Sequence, residues 1–311
     1  MNLAVPPLLD RLEAGARVAL IRLRSLGDCV LTTPALTLLH QHRPDLRIAV
    51  AVEERFADVF AGHPAVAELL GAGKLAARQF APALCLNFHG GTRSLWMTAL
   101  SGAGLRAGFG HHANAWVYNT RIPRAQEILG VERTVHTAEH LASAMFWLGV
   151  PAGEIPRASL HAEASSRPQA YAVIHALASA ADKMWPAAGF LAVARHMRDH
   201  LRLEPVFVGG PGEDLSPFAE FATAAGQTLA ATKSLLSGAS LFVGNDSGPA
   251  HMAAAFGLPV VVLYGSSDPV VWAPWRTAAR TFVSPAGLAR ITPAEVINAV
   301  EQLLAARGAS A

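Results

Sequence analysis

The sequence predicts an α/β chain built from two doubly wound, Rossmann-like domains, and three observations carry that reading. Short apolar runs without alternation, such as residues 17–23 (RVALIRL) and 260–263 (VVVL), suit parallel strands buried on both faces. Several of these runs pass into a polar, glycine-containing turn and then a helix, the repeating unit of such domains. The length, 311 residues, is too great for one small core and suits two domains of ordinary size. Residues 151–168 are rich in Pro, Ser, Ala and charge with little periodicity, as a linker would be. The domains are therefore expected at 1–160 and 166–311.

In chain order, the strand at 17–23 leads through Arg24-Ser25-Leu26-Gly27-Asp28 into a helix over 29–40, with Pro34 in its early turns. Asp28 falls at a helix start and at the carboxyl end of a strand, where an isolated aspartate reads first as an N-cap. Further strands are expected at 47–52 and 83–88, the second ending in the loop His89-Gly90-Gly91-Thr92-Arg93-Ser94. The stretch 102–110 contains Gly-Ala-Gly but no complete G-x-G-x-x-G, so the dinucleotide fingerprint is missing there. His136-Thr137-Ala138-Glu139-His140 matches the H-x-x-E-H pattern of inverted zinc proteases, with both histidines on one helical face. Short patterns arise by chance, and Leu141, Ala144, Met145 and Leu148 continue an ordinary apolar periodicity, so no metal is expected.

The second domain opens with a strand at 170–174, followed by Lys183, Trp185-Pro186, a helix over 190–200 and a strand at 204–208. The loop Gly209-Gly210-Pro211-Gly212-Glu213-Asp214 is not followed by a Walker lysine, which excludes a P-loop. A strand at 241–243 then meets the turn Gly244-Asn245-Asp246-Ser247-Gly248 and a helix with Pro249 at its first position, ended by Gly257. The N–H groups at such a helix start attract anions. The strand at 260–263 ends in a second polar loop, Gly265-Ser266-Ser267-Asp268-Pro269, and the last helix covers 292–306. Ligands of open α/β sheets bind at these carboxyl ends.

Composition narrows the class. The hydrophobic fraction of 52% and mean hydropathy of +0.30 come mostly from alanine, and no apolar run approaches the roughly 18–20 residues that span a bilayer. Asp10 and Glu13 near the N-terminus, without a basic segment and apolar core, give no expectation of a cleaved signal. With Cys29 and Cys85 alone, a disulfide framework is not expected and a cytoplasmic setting is the default. A net charge of +2 from scattered basic residues, with no aromatic-interleaved patch, does not imply nucleic acid. Weak attraction to an anionic membrane surface, peripheral on the cytoplasmic face of the inner membrane, fits the mild basicity.

The run GNDSGPAH (244–251) followed by GLPVVVLYGSSDP (257–269) resembles the C-terminal signature of glycosyltransferase family 9, the lipopolysaccharide heptosyltransferases. IRLRSLGDCVLTTPAL (21–36) is similar to the family's first strand, glycine turn and helix, and Asp182-Lys183-Met184-Trp185-Pro186 to the lysine segment that opens its second domain. The three stretches stand in the family's order and span nearly the whole chain. The resemblance implies a GT-B fold, two domains facing across a cleft, and an inverting transfer of heptose from an ADP-heptose to a Kdo or heptose unit of the inner core. It assigns Asp28 as catalytic base, with Lys183 as the other catalytic residue. Ser179, Glu213, Asp246, Ser247, Gly248 and His251 would bind the donor, and Gly27, His89 and Arg93 the lipopolysaccharide acceptor. From the residues alone, Glu213 reads equally as a solvated loop acid, and His89 and Arg93 equally as structural loop residues. No cofactor is implied, and no Asp-x-Asp pair offers a divalent ion its ligands. Relative to the family, residues 227–239 look shortened, with no clear strand ahead of the helix. Two rival functions share the fold: a nucleotide-sugar epimerase, which would need no acceptor, and a non-catalytic sugar-nucleotide-binding scaffold of the envelope, against which the presence of both Asp28 and Lys183 argues.

Overall fold

In the computed structural model, which describes residues 7–178, 180–284 and 286–308, the chain divides into two compact units between Ser159 and Leu160. The first unit has strands β1 (Arg17–Ile21), β2 (Arg47–Ala51), β3 (Glu68–Leu70), β4 (Leu84–Asn87), β5 (Leu105–Phe109) and β6 (Thr120–Ile122). All pair in parallel in the order β3-β2-β1-β4-β5-β6. Its helices are α1 (Leu26–His42), α2 (Ala76–Phe80), α3 (Thr92–Ala99), α4 (Ala125–Leu129) and α5 (Thr137–Leu148). Burial on both faces explains why β1 and β4 read as unbroken apolar runs. Helix α1 packs against α5 and begins at Leu26, ahead of the start expected at 29. Ser25 is therefore the N-cap, and Asp28 belongs to the first turn rather than to the cap.

The second unit repeats the plan with β7 (Tyr171–His175), β8 (Glu204–Val208), β9 (Ala222–Ala224), β10 (Leu241–Asn245), β11 (Val260–Tyr264) and β12 (Ala279–Val283), in the parallel order β12-β11-β10-β7-β8-β9. Its helices are α6 (Ala187–Leu201), α7 (Leu229–Ser237), α8 (Gly248–Ala255), α9 (Pro269–Trp272) and α10 (Pro293–Gly308). Read from its own first strand, each unit has the same order, and the winding reverses between the first and fourth strands, β1/β4 and β7/β10. That switch point is where such sheets bind ligands. The region expected to lack a clear strand holds β9, three residues long at the sheet edge, and α7, whose Thr228 cap accepts from Ala231 N. No helix among the described residues is long and apolar enough to cross a membrane.

Periodicity explains how the second unit closes its core. Phe190, Val193, Ala194 and Met197 of α6, and Val296, Ala299, Val300 and Leu303 of α10, are buried at i, i+3, i+4 and i+7, one stripe per helix. They meet alternate residues of the sheet: Ala172 and Ile174, Leu241 and Val243, Val261 and Leu263. Each large side chain buried this way contributes roughly 1.5–3 kcal/mol.

The loops at the switch point are held by side chains rather than by ladder bonds. Asn245, expected in a turn, is the fully buried last residue of β10. Its Nδ2 donates to Ala176 O at 2.8 Å and its Oδ1 accepts from Trp185 N at 3.0 Å, so one carboxamide fixes both ends of the segment that carries Lys183. Asn245→Leu would leave that carbonyl and that N–H buried without partners, each costing about 1–3 kcal/mol. Urea unfolding should show the second unit destabilised accordingly, and a change below about 0.5 kcal/mol would show the two bonds to be dispensable.

Candidate functional site

In the second unit the site is built on the ends of β7, β8, β10 and β11. Ser247 caps α8 in an extended conformation, Gly248 is the first helical residue and Pro249 the second, one place later than expected. The N–H groups of a helix's first turn have no intrahelical acceptor. His175 ends β7 and is buried, with Nδ1 3.1 Å from Ser247 Oγ and Nε2 3.5 Å from Glu213 Oε2. Glu213 Oε2 also accepts from Gly210 N at 2.6 Å. The imidazole first, and then that backbone N–H, hold the Glu213 carboxyl below its ordinary range. A chain of polar contacts thus joins the loops after three strands. When Nε2 carries the proton toward Glu213, Nδ1 is left to accept from the Ser247 hydroxyl.

Lys183 ends a single 3-10 turn, Ala181–Lys183. Its Nζ donates to Ser267 Oγ at 2.7 Å and lies 3.9 Å from Asp246 Oδ2. The approach of that turn demands glycine at 265, where a Cβ would strike the Asp182 carbonyl oxygen. Trp185 anchors the far end of the segment, its Nε1 donating to Ile291 O at 3.0 Å. Asp246 is largely buried beside Lys183, and its N–H closes on Leu263 O at 3.0 Å. His251 lies buried in α8, its ring inclined at 63° to that of Trp272 with centroids 6.2 Å apart. Ser179 lies outside the described residues.

In the first unit a pocket of about 530 Å³ is lined by Arg22, Arg24, Ser25, Asp28, Arg55, Phe56 and His89. Asp28 Oδ1 accepts from Arg22 Nη2 at 2.9 Å, and its Oδ2 from Ser25 N at 3.2 Å and Ser25 Oγ at 3.0 Å. An ionised carboxylate has about four acceptor positions, so one remains for the pocket. Arg22 is buried, and its Nε donates to Thr32 Oγ1 at 3.3 Å. His89 is brought to the pocket by the buried carboxamide of Asn87, whose Oδ1 accepts from His89 N and Gly90 N, both at 3.0 Å. Burial, and then the nearby charges of Arg22 and Arg24, push the His89 pKa down. Gly27 is buried in the first turn of α1 between the lining residues Ser25 and Asp28, and Arg93 is exposed and pairs loosely with Glu53 at 3.4 Å. The cations that do line the pocket are Arg22, Arg24 and Arg55, none of them singled out from the sequence. Arg22-x-Arg24 at a strand's carboxyl end was a usable signal, whereas Arg55, in a 3-10 turn over Glu54–Val59, gave none.

Two parallel six-stranded sheets of one strand order, each presenting polar loops at its switch point, are the architecture of a GT-B glycosyltransferase. Solved structures agree on the fold. The glycosyl transferase family 9 protein from Veillonella parvula DSM 2008 matches 93% of this chain and 97% of its own with a TM-score of 0.80 at 22% identity. Escherichia coli heptosyltransferase WaaC with ADP matches 92% and 99% with a TM-score of 0.78 at 20% identity. The model of glycosyltransferase family 9 (heptosyltransferase) matches residues 74–290, more than half of the sequence, and the chain belongs to that family. It is a glycosyltransferase related to the heptosyltransferases of lipopolysaccharide biosynthesis. Lipopolysaccharide heptosyltransferase 3 of Escherichia coli is 26% identical over 296 residues, covering 81% of this chain and 84% of its own.

The H-x-x-E-H stretch is a helix cap. His136 is the N-cap of α5, its Nδ1 accepting from Ala138 N at 3.0 Å, while Glu139 accepts from His136 N at 2.9 Å and pairs with Arg133 at 2.6 Å. No group of three His, Cys, Asp or Glu among the described residues could hold a metal ion. His140 instead stacks on Phe109 at 4.1 Å, with His111 and His112 beside it. Burial first, and the neighbouring rings second, push both His140 and His112 down to about 4. The unfolded chain takes up these protons near pH 6.5, so the stability from the neutral folded rings is present above pH 6.5 and lost as pH falls toward 4. His140 should contribute on the order of 2–3 kcal/mol to that loss. His140→Gln should reduce the drop in melting temperature between pH 7 and pH 4.5, and an unchanged drop would remove the histidine cluster from the acid response.

Proposed function

We propose that the protein transfers a heptose from ADP-heptose, with inversion, to a Kdo or heptose unit of the lipopolysaccharide inner core, on the cytoplasmic side of the inner membrane. The observation that carries this reading is Asp28: a carboxylate aimed by three hydrogen bonds, one of them from Arg22, with an acceptor position left over, in a pocket also lined by Arg24 and Arg55. Inner-core sugars carry carboxylate and phosphate, which guanidinium groups grip in a bidentate manner. For the donor, the support is that related Escherichia coli structures hold ADP and ADP-2-deoxy-2-fluoro heptose.

In the proposed step the acceptor hydroxyl closes on the anomeric carbon from the face opposite the diphosphate. A new C–O bond forms, the bond to the diphosphate oxygen breaks, and its electron pair leaves with ADP. An ordinary carboxylate is a weak base for an alcohol, but the hydroxyl becomes acidic as it bonds to an oxocarbenium-like centre, and Asp28 takes its proton then. Charge grows on the departing diphosphate. Lys183, the Gly248 N–H and the positive end of α8 supply donors for it, and these groups take the place of a divalent cation. Asp246 and Glu213, both anionic, suit sugar and ribose hydroxyls rather than phosphate. His175 acts through its neighbours, holding Ser247 and Glu213 in position.

Asp28→Asn keeps the shape and removes the base. Acceptor-dependent ADP release should fall by about a hundredfold or more with donor affinity nearly unchanged, and full turnover by this variant would return Asp28 to a purely structural part in the capping box. On the donor side, Lys183→Ala should weaken ADP binding by about 1.5–3 kcal/mol in a calorimetric titration. Asp246→Ala should weaken ADP-heptose more than ADP, whereas equal losses for both ligands would mean that Asp246 shapes the loop and does not read the sugar.

A further inference from the structure

One long stretch of the sequence carries positive charge alone. Between Glu68 and Glu127 there is no Asp or Glu, while Lys74, Arg78, Arg93, Arg106, Arg121 and Arg124 all fall there. The whole chain is only +2, so the remainder is net negative. Within this cationic stretch α3 turns Arg93 and Trp96 outward, and the 3-10 turn Ala115–Val117 stands beside it with Trp116 at its crest. Trp96 is 51% exposed and Trp116 68%. Between the two indoles runs an apolar groove of about 160 Å³, floored by Leu95 and Val117, which pack with Tyr118 in a small cluster of their own. The Arg106 guanidinium donates to Val117 O at 3.0 Å and Ala103 O at 3.1 Å, which seats a cation directly under the tryptophan-bearing turn. Arg121 and Arg124 are exposed.

Two exposed indoles carried by an arginine-bearing stretch of 58 residues without an acid, with the Glu53 carboxylate standing beside Arg93 at 3.4 Å, match the chemistry of a bilayer interface. Indole settles where an apolar ring can sink while its N–H stays wet, and arginine is drawn by anionic headgroups. A protein partner would account for the groove but gives no reason for 58 consecutive residues without an acid. We propose that this face of the first unit docks on an anionic lipid surface, with Trp96 and Trp116 at headgroup depth and the arginines against lipid phosphates. The choice of a membrane rests in part on the acceptor proposed above, which is lipid-borne. Helix α3 starts directly after the His89-Gly90-Gly91 loop that borders the Asp28 pocket, so docking here brings an acceptor sugar to the same unit that holds the base.

The test is co-sedimentation of the whole protein with sucrose-loaded vesicles of phosphatidylglycerol and phosphatidylcholine in equal parts, against phosphatidylcholine alone. The protein should pellet with the anionic vesicles only, and 0.5 M NaCl should release it. Trp96→Ser combined with Trp116→Ser should weaken binding at least tenfold, and Arg121→Gln and Arg124→Gln about fivefold each. Both tryptophans are exposed, so an unchanged melting temperature checks that the double variant folds, and quenching of tryptophan fluorescence by brominated lipid gives a second readout in the parent protein. Equal pelleting with both vesicle types, or a double variant that binds like the parent, overturns the proposal. Absence of binding to either vesicle also overturns it and makes a protein partner the occupant of the groove. Vesicle binding needs no turnover, so failure of the proposed reaction would leave this result standing. A water-soluble acceptor fragment should be turned over equally by the parent and the double tryptophan variant.

Discussion

One buried carboxamide in each unit determines where the chemistry can sit. Asn87 and Asn245 are the last residues of β4 and β10, the fourth strands of their sheets, and both are wholly buried. A strand that ends at the switch point leaves neighbouring backbone groups without ladder partners, and burying them unpaired would cost several kcal/mol in all. Asparagine resolves this with an acceptor and a donor on one rigid group. Asn87 folds its own loop back on itself, fixing His89 and Gly90, while its Nδ2 donates to Thr98 Oγ1 at 3.0 Å. Asn245 reaches sideways, to Ala176 and Trp185, and so suspends Lys183 between two fixed points. The loop that carries His89 and the segment that carries Lys183 hang from these anchors.

The charges around them are arranged in pairs that leave one function open. Arg22 is buried against Asp28 and Thr32, and truncating Asp28 past its oxygens would leave that guanidinium without its counter-ion. Lys183 is held by Ser267 and stands within reach of Asp246, so its ammonium is positioned before any anion arrives. His175 links Ser247 to Glu213 in the same way. Preorganised groups of this kind lose little entropy when charge develops on a ligand, and that is where most electrostatic catalysis comes from. The two cysteines take no part. Cys29 and Cys85 are buried, and desolvation pushes both thiols up to about 12, away from nucleophilic use.

Much of the scaffold could be read directly from residue order. The strand at Glu204–Val208 was legible to the residue, because an apolar run buried on both faces has no competing pattern. The start of α1 was not, since Leu26-Gly27 looks like a turn until Asp28 accepts from the N–H and hydroxyl of Ser25, a reciprocal cap that outweighs the glycine. Asn245 was misplaced for a related reason: asparagine beside glycine signals a turn, and only burial shows it to be strand. The residues that escaped altogether act across long separations. His175 meets Ser247 from 72 positions away, and Arg55 reaches the Asp28 pocket from an unremarkable surface turn. Conversely, His136 and His140 formed a metal-like pattern that the fold spends on a cap and an aromatic stack.

All of the proposed roles depend on a single displacement at the anomeric carbon, with Asp28 on one side and the diphosphate on the other. The most direct measurement is the anomeric configuration of the transferred sugar, read by NMR on the product formed from ADP-heptose and an inner-core acceptor. A configuration opposite to that of the donor is the predicted result. Retention would require a second displacement that Asp28, acting as a base, does not supply, and would contradict the account.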